Sequence, residues 1–187
     1  MKIFKTIVAS CMILFAMQAS AQDMMKENSV MVGGAAMFPS KDIIDNAVNS
    51  KDHTTLVAAV KAAGLVETLK SKGPFTVFAP TNKAFAKLPA GTVDNLLMME
   101  NKATLSKILT YHVISGKYDS KDLARMIKTG NGKAELTTVS GGKIYLMKKG
   151  NKLMLKDEKG NISNITISDV YQSNGVIHVI DSVVLPK

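Results

Sequence analysis

The 187-residue chain carries 24 lysine and arginine residues against 15 aspartates and glutamates, a formal charge of +9, with one cysteine and no tryptophan. Cys11 lies in an apolar N-terminal run, so disulfide staples and thiolate metal sites are excluded from everything that follows, and stability has to come from a buried core. Arg125 is the one arginine, and lysine without the arginine fork is a poor nucleic-acid signature.

Residues 1–21 have the form of a signal peptide. Lys2 and Lys5 supply a positive start, Ile7 to Met17 an apolar stretch, and Ala19-Ser20-Ala21 a small-residue cleavage site. The expected mature chain begins at Gln22 and is exported to the periplasm or the extracellular space. A lipid anchor on Cys11 would cut the apolar run in half and is set aside. No later stretch approaches the roughly 20 apolar residues a membrane span needs.

Residues 22–39 form a lead-in. Met24, Met25, Met31 and Met37 are soft ligands of the kind that bind copper(I), but no histidine or cysteine in the segment completes such a site. The plainer reading is an arm that packs Met31, Val32 and Met37 against the domain, bent at Gly33-Gly34.

The domain proper spans 40–187 and opens helically. Ser40 can cap a helix bearing Ile43, Ile44 and Val48; Asp52 can cap another bearing Leu56, Val57, Val60 and Ala63, closed by Gly64. A short turn of helix follows at Leu65 to Leu69. Phe75, Val77 and Ala79 then alternate with Thr76 and Phe78 as a buried strand, and helical spacing resumes after Pro80 with Thr81 or Asn82 as cap. Val93, Leu96 and Leu97 predict a further helix. Leu105, Ile108, Leu109 and His112 share the next helix's apolar face, so His112 is expected as an interior imidazole, with Tyr111 turned toward the rim. One more helix runs from Ser120 to Lys128.

From there the pattern is strand and turn. Gly150-Asn151 joins a strand from Lys143 to Lys149 with one from Lys152 to Lys156 as a hairpin. Lys143, Lys148, Lys149, Lys152 and Lys156 give it a basic character with two readings, a site for an anionic ligand or protection of an exposed sheet edge. Ile165, Ile167 and Asp169 alternate toward a turn at Asn174-Gly175, and His178 falls inward between Val176 and Ile180. Asn161 and Asn164 each open a glycosylation sequon.

Catalytic signatures are missing from this inventory. The sequence has no Gly-x-Ser-x-Gly, no phosphate-binding loop and no His-Glu-x-x-His. His53, His112 and His178 lack ligand spacing, and Asp157-Glu158 reads as a solvated loop pair. No metal or other cofactor is expected.

Three motifs together resemble the fasciclin domain family: Thr76-Val77-Phe78-Ala79-Pro80-Thr81-Asn82 with Ala84-Phe85 and Leu88-Pro89; Leu109-Thr110-Tyr111-His112-Val113; and Asn174 to Asp181 ending at Leu185-Pro186. The resemblance implies an α+β fold, a wedge of two β-sheets with several helices packed around it, helices mostly N-terminal and strands mostly C-terminal. It implies a secreted, non-enzymatic adhesion module that binds a surface or matrix protein or a glycan. In animal members the elements matching Tyr111-His112 and Asp169-Val170 are assigned integrin contact, which makes these four residues the expected partner-binding set. Arg-Gly-Asp is absent. The alternative is an envelope carrier of a small apolar or anionic ligand, held in a crevice near the helices and the lysine hairpin.

Overall fold

The structure, a computed structural model, describes residues 28–187; the expected signal peptide, Cys11, Met24 and Met25 lie outside the described residues. The first element is a hairpin of β1 (Val30–Val32) and β2 (Ala35–Met37). Its turn needs glycine, because Gly33 has φ 58° and a Cβ there would come within 2.3 Å of Ser50 Oγ. Val32 and Met37 enter the core, whereas Met31 faces solvent, contrary to the expected packing of all three. Strand alternation explains the difference, and it keeps the Met31 and Met37 sulfurs from facing one site.

Short helices follow, and two caps differ from those the sequence suggests. Helix α1 (Ile43–Ala47) is capped by Asp42, which accepts from Asp45 N, and not by Ser40. Helix α2 (Thr54–Ala63) starts after His53 without a local side-chain cap, so Asp52 does not serve. The donor left open is met from a distance: Thr55 N donates to Asn82 Oδ1 at 3.0 Å, while Asn82 Nδ2 donates to Lys51 O. Asn82 therefore binds the helical layer to the strand that precedes it. Gly64 ends α2 in the left-handed conformation, and α3 (Val66–Lys70) follows.

Strand β3 (Phe75–Pro80) leads into α4 (Asn82–Phe85), whose cap is Thr81. Helices α5 (Thr92–Leu97) and α6 (Lys102–Tyr111), strand β4 (Val113–Ser115) and helix α7 (Ser120–Thr129) complete the first half. The second half is strand throughout: β5 (Lys133–Thr137), β6 (Lys143–Lys149), β7 (Lys152–Lys156), β8 (Ile162–Gln172) and β9 (Gly175–Ile180).

Seven strands lie in the order β4-β3-β9-β8-β7-β6-β5. The two sheets of the wedge are continuous through β8, whose register with β9 shifts twice between Ile165 and Val170, as bulges do where a strand bends from one sheet to the next. The far ends approach each other as well, since Val139 N, just past β5, donates to Val113 O of β4 at 2.8 Å. The barrel is thus nearly closed. β3 runs parallel to β9, and there Gly175 is required by contact: an added Cβ would lie 2.1 Å from Phe75 O.

Two cores result. One packs α1–α6 on the outer side of β3 and β9, with Leu56, Val60, Val77, Leu105, Leu109 and Ile177 among its members. The other fills the wedge, with Phe78, Leu123, Ile144, Leu146, Leu155 and Ile180. β3 serves both because its side chains alternate, Val77 to the helices and Phe78 to the wedge.

Candidate functional site

Tyr111 ends α6 and is fully buried, 0% exposed, which corrects its expected place on the rim. The helix stops there and the chain turns into β4, so the ring tucks into the wedge core, tight against Gly142. Its hydroxyl donates to Lys143 O at 2.6 Å and accepts from Glu158 N at 3.2 Å. Burial pushes the phenol up to about 12, the hydrogen bond from the Glu158 backbone partly opposing it.

His112 is buried as the helical spacing predicts. A backbone amide can only donate, so Val184 N–H (3.2 Å) makes Nε2 an acceptor and leaves the proton on Nδ1, which donates to Ile108 O at 2.8 Å. Desolvation lowers this histidine to about 4, against the raising effects of Ile108 O and the Asp157 charge, so it is neutral at physiological pH. His178 is likewise interior, its Nε2 donating to Tyr118 O and its Nδ1 facing Asp169 N. Burial again lowers its pKa.

Val170 is 0% exposed and cannot touch a partner in this conformation. Asp169 is half-buried with φ 61°, and its carboxylate accepts from both Ser120 N and Ser120 Oγ. It thereby helps Asp119, which accepts from Lys121 N and Asp122 N, to hold the N-terminus of α7. Tyr111 and Asp169 do not converge, since their partners lie on different elements. Of the four expected contact residues, Asp169 alone is more than 3% exposed.

Asp157 and Glu158 also depart from expectation. Asp157 is buried, accepting from Asn161 N, Asn161 Nδ2 and Leu185 N. Glu158 accepts from Lys143 N and Lys187 N, and these backbone donors hold its carboxyl below the usual range. The two acids anchor the C-terminal segment. An Asp-Glu pair in a polar turn carries no local signal for such a role, because the donors lie about 15 and 28 residues away along the chain.

The hairpin is where charge collects at the surface. Lys143, Lys149, Lys152 and Lys156 project from the face opposite buried Ile144, Leu146 and Leu155. Lys133 joins them, its ammonium 3.8 Å from the Tyr145 ring centroid. Lys143 is engaged with Glu135 at 2.7 Å, a hydrogen bond that raises the lysine. Lys149 and Lys152 stand directly opposite each other. Lys148 has the inward parity and borders a polar groove of about 750 Å³ with Ser120, Lys121, Thr166, Ser168 and Lys152, the last shared with the outward face at the hairpin tip. β5 is the edge strand, and Lys143 and Lys156 lie where β6 and β7 are flanked on each side, whereas Lys148, Lys149 and Lys152 sit at the hairpin tip beyond the pairing with β5 and β8, where edge protection still applies.

A third feature lies on the helical side. α4, α5, α6 and the C-terminal segment enclose an apolar recess of about 310 Å³, with Lys159 in its lining.

Chemistry finds little purchase. Among the described residues no group of three or more histidine, cysteine or acidic side chains could hold a metal ion. A serine–histidine hydrogen bond exists, Ser50 Oγ to His53 Nδ1 at 2.9 Å, but both residues are buried and the β1–β2 turn packs over Ser50. No helix among the described residues is long and apolar enough to cross a membrane.

The family model of the fasciclin domain matches residues 51–186. The chain is 48% identical over 160 residues to protein sll1483 of Synechocystis, covering 86% of this chain and 82% of that one. It is 37% identical over 145 residues to the immunogenic protein MPB70 of Mycobacterium bovis, covering 75% and 66%. Among solved structures, the FAS1 domain pair of the insect cell adhesion molecule fasciclin I superposes with TM-score 0.69 at 20% identity, covering 86% of this chain and 58% of that one, so the present chain spans little more than half of the pair. With the motifs, the nearly closed seven-stranded wedge and the helices packed on its outer side, these matches assign the chain to the fasciclin domain family.

Proposed function

We propose that this protein is a non-enzymatic, exported binding module that docks the outward face of β5–β7 on an acidic partner at the cell surface or in the surrounding matrix, an acidic glycan above all. One observation carries the reading: Lys149 and Lys152 face each other across the hairpin on a surface that also bears Lys133, Lys143 and Lys156. Like charges directly opposite on a sheet repel. A polyanion laid across them relieves that repulsion and meets a net positive field, five lysines against Glu135.

The same face offers more than charge. Tyr145, Met147 and Met154 are half-buried between the lysines, giving apolar ground on which sugar rings or lysine stems can lie. The similarity to a cell adhesion molecule supports contact as the task, and the expected signal peptide supports a place outside the cytoplasm. Tyr111, His112 and Val170 contribute from within by holding the wedge in shape. Asp169 adds a carboxylate near the groove bordered by Lys148.

Retention on an immobilised sulfated polysaccharide, compared with neutral dextran, tests the reading. The protein should bind the first, elute as salt rises, and ignore the second. Joint substitution Lys149→Glu and Lys152→Glu should abolish retention while leaving the unfolding temperature nearly unchanged. Equal retention of this variant, or salt-independent binding, would overturn the assignment of the site.

A further inference from the structure

We propose that the recess between α4, α5, α6 and the C-terminal segment binds the hydrocarbon tail of a long-chain carboxylate whose head group meets Lys159. The lining is aliphatic and aromatic: Phe85, Leu88, Leu96, Leu105, Ile108 and Leu185 contribute to it. His112 borders it too, but both ring nitrogens are already engaged, by Ile108 O and Val184 N, and offer a ligand nothing polar. The recess, about 310 Å³, opens to solvent and leaves aliphatic surface wet, so covering that surface with an apolar guest is favourable. That volume lies at the lower end of the range for small-molecule sites and holds about ten groups the size of a water or methylene.

The charge pattern selects the head group. Lys159 is the one charged residue of the lining, its side chain is exposed, and it forms no ion pair among the described residues. An exposed ammonium on an otherwise apolar lining marks the opening, and its complement is a single anionic group at the end of an apolar chain. The wall can adjust to such a guest because α5 has no fully buried residue. Immediately after Leu96 and Leu97 the chain exposes Met98 and Met99, 50% and 94% accessible, which extends apolar surface outward from this helix. The site is independent of the lysine face on β5–β7, so either assignment stands or falls alone.

Dodecanoate below its micelle concentration, titrated into the purified protein and followed by calorimetry and amide NMR, is the deciding experiment. Saturable one-to-one binding is expected, with shifts at Leu96, Ile108 and Leu185. Lys159→Glu should weaken dodecanoate roughly fivefold, the size expected for an exposed charge contact, and leave the uncharged methyl dodecanoate unaffected. Leu96→Trp should fill the recess from a half-buried position and remove binding of both. Absence of saturable binding, shifts confined to another surface, or a Lys159→Glu variant that binds dodecanoate as before would overturn the proposal. Lys159 is a surface residue, so that arm remains decisive if Leu96→Trp fails to fold.

Discussion

The Nε2 atom of His112 accepts the backbone N–H of Val184 at 3.2 Å, joining the end of α6 to a C-terminal segment that has no strand partner of its own. The imidazole replaces the missing neighbour. His112→Ala should therefore cost about 2–4 kcal/mol, combining a cavity with unsatisfied buried backbone groups. Chemical denaturation measures this directly, and an unchanged midpoint would refute the role.

The same bond fixes a pH dependence. His112 titrates at about 4 in the folded protein, below the ordinary 6.5, because burial disfavours its charged form. Between these values the unfolded chain binds more protons than the folded one, so stability falls as pH drops from about 6.5 to 4 and levels off below. The contribution lost is roughly 3 kcal/mol. His53 and His178 are lowered in the same direction. Denaturation curves of the wild type and of His112→Gln across this window should converge toward acid pH; parallel curves would exclude His112 as the source.

Tyr111→Phe separates architecture from recognition. It removes a hydroxyl that serves Lys143 O and Glu158 N and should cost about 1–3 kcal/mol. Retention on the sulfated polysaccharide should be unaffected at a temperature where both proteins are folded. Lost retention would return Tyr111 to the contact surface.

Asn174→Ala should be among the most damaging single polar substitutions. Its side chain accepts from Ile43 N and donates to Leu69 O and Ser71 O, joining α1, α3 and the β8–β9 turn. Truncation strands these groups together, and a loss of about 3 kcal/mol or more follows in thermal or urea unfolding. Gly175→Ala should be comparably severe because of the approach of Phe75 O. A left-handed turn is not the reason, since Gly175 lies in β9 and is not among the glycines with positive φ.

Lys149→Glu alone should raise the unfolding temperature slightly, because it turns a like-charge cross-strand pair into an attractive one. Polysaccharide retention should weaken in the same protein. A stability gain accompanied by a binding loss is the signature of a face kept for contact, and a gain without loss would count against that use.

Periodicity made much of the fold legible. The alternation of β6 and β7, the inward His178 and the strand-to-helix change at Pro80–Thr81 are local properties, and the structure has each of them. Side chains working at long range were not legible. Asn82 caps a helix that begins 28 residues before it, and Asp157 accepts from Leu185. Tyr111 misleads for a related reason: helical spacing places it off the apolar stripe of α6, but the second core lies on that side and takes it in. The basic hairpin is visible in the sequence, whereas its interior position in the sheet depends on strand order.

That strand order also governs when the molecule can fold. β3 lies between β4 and β9, and its parallel partner begins at Gly175, 100 residues beyond Phe75. The wedge core additionally takes in Ile180 and Val184. Until that last stretch has left the ribosome, β3 lacks one whole side of its hydrogen bonding and neither core can close. Such non-local pairing slows folding. A nascent chain held open in this way stays pliable through almost all of its synthesis, the state in which a polypeptide can be threaded through a translocation channel.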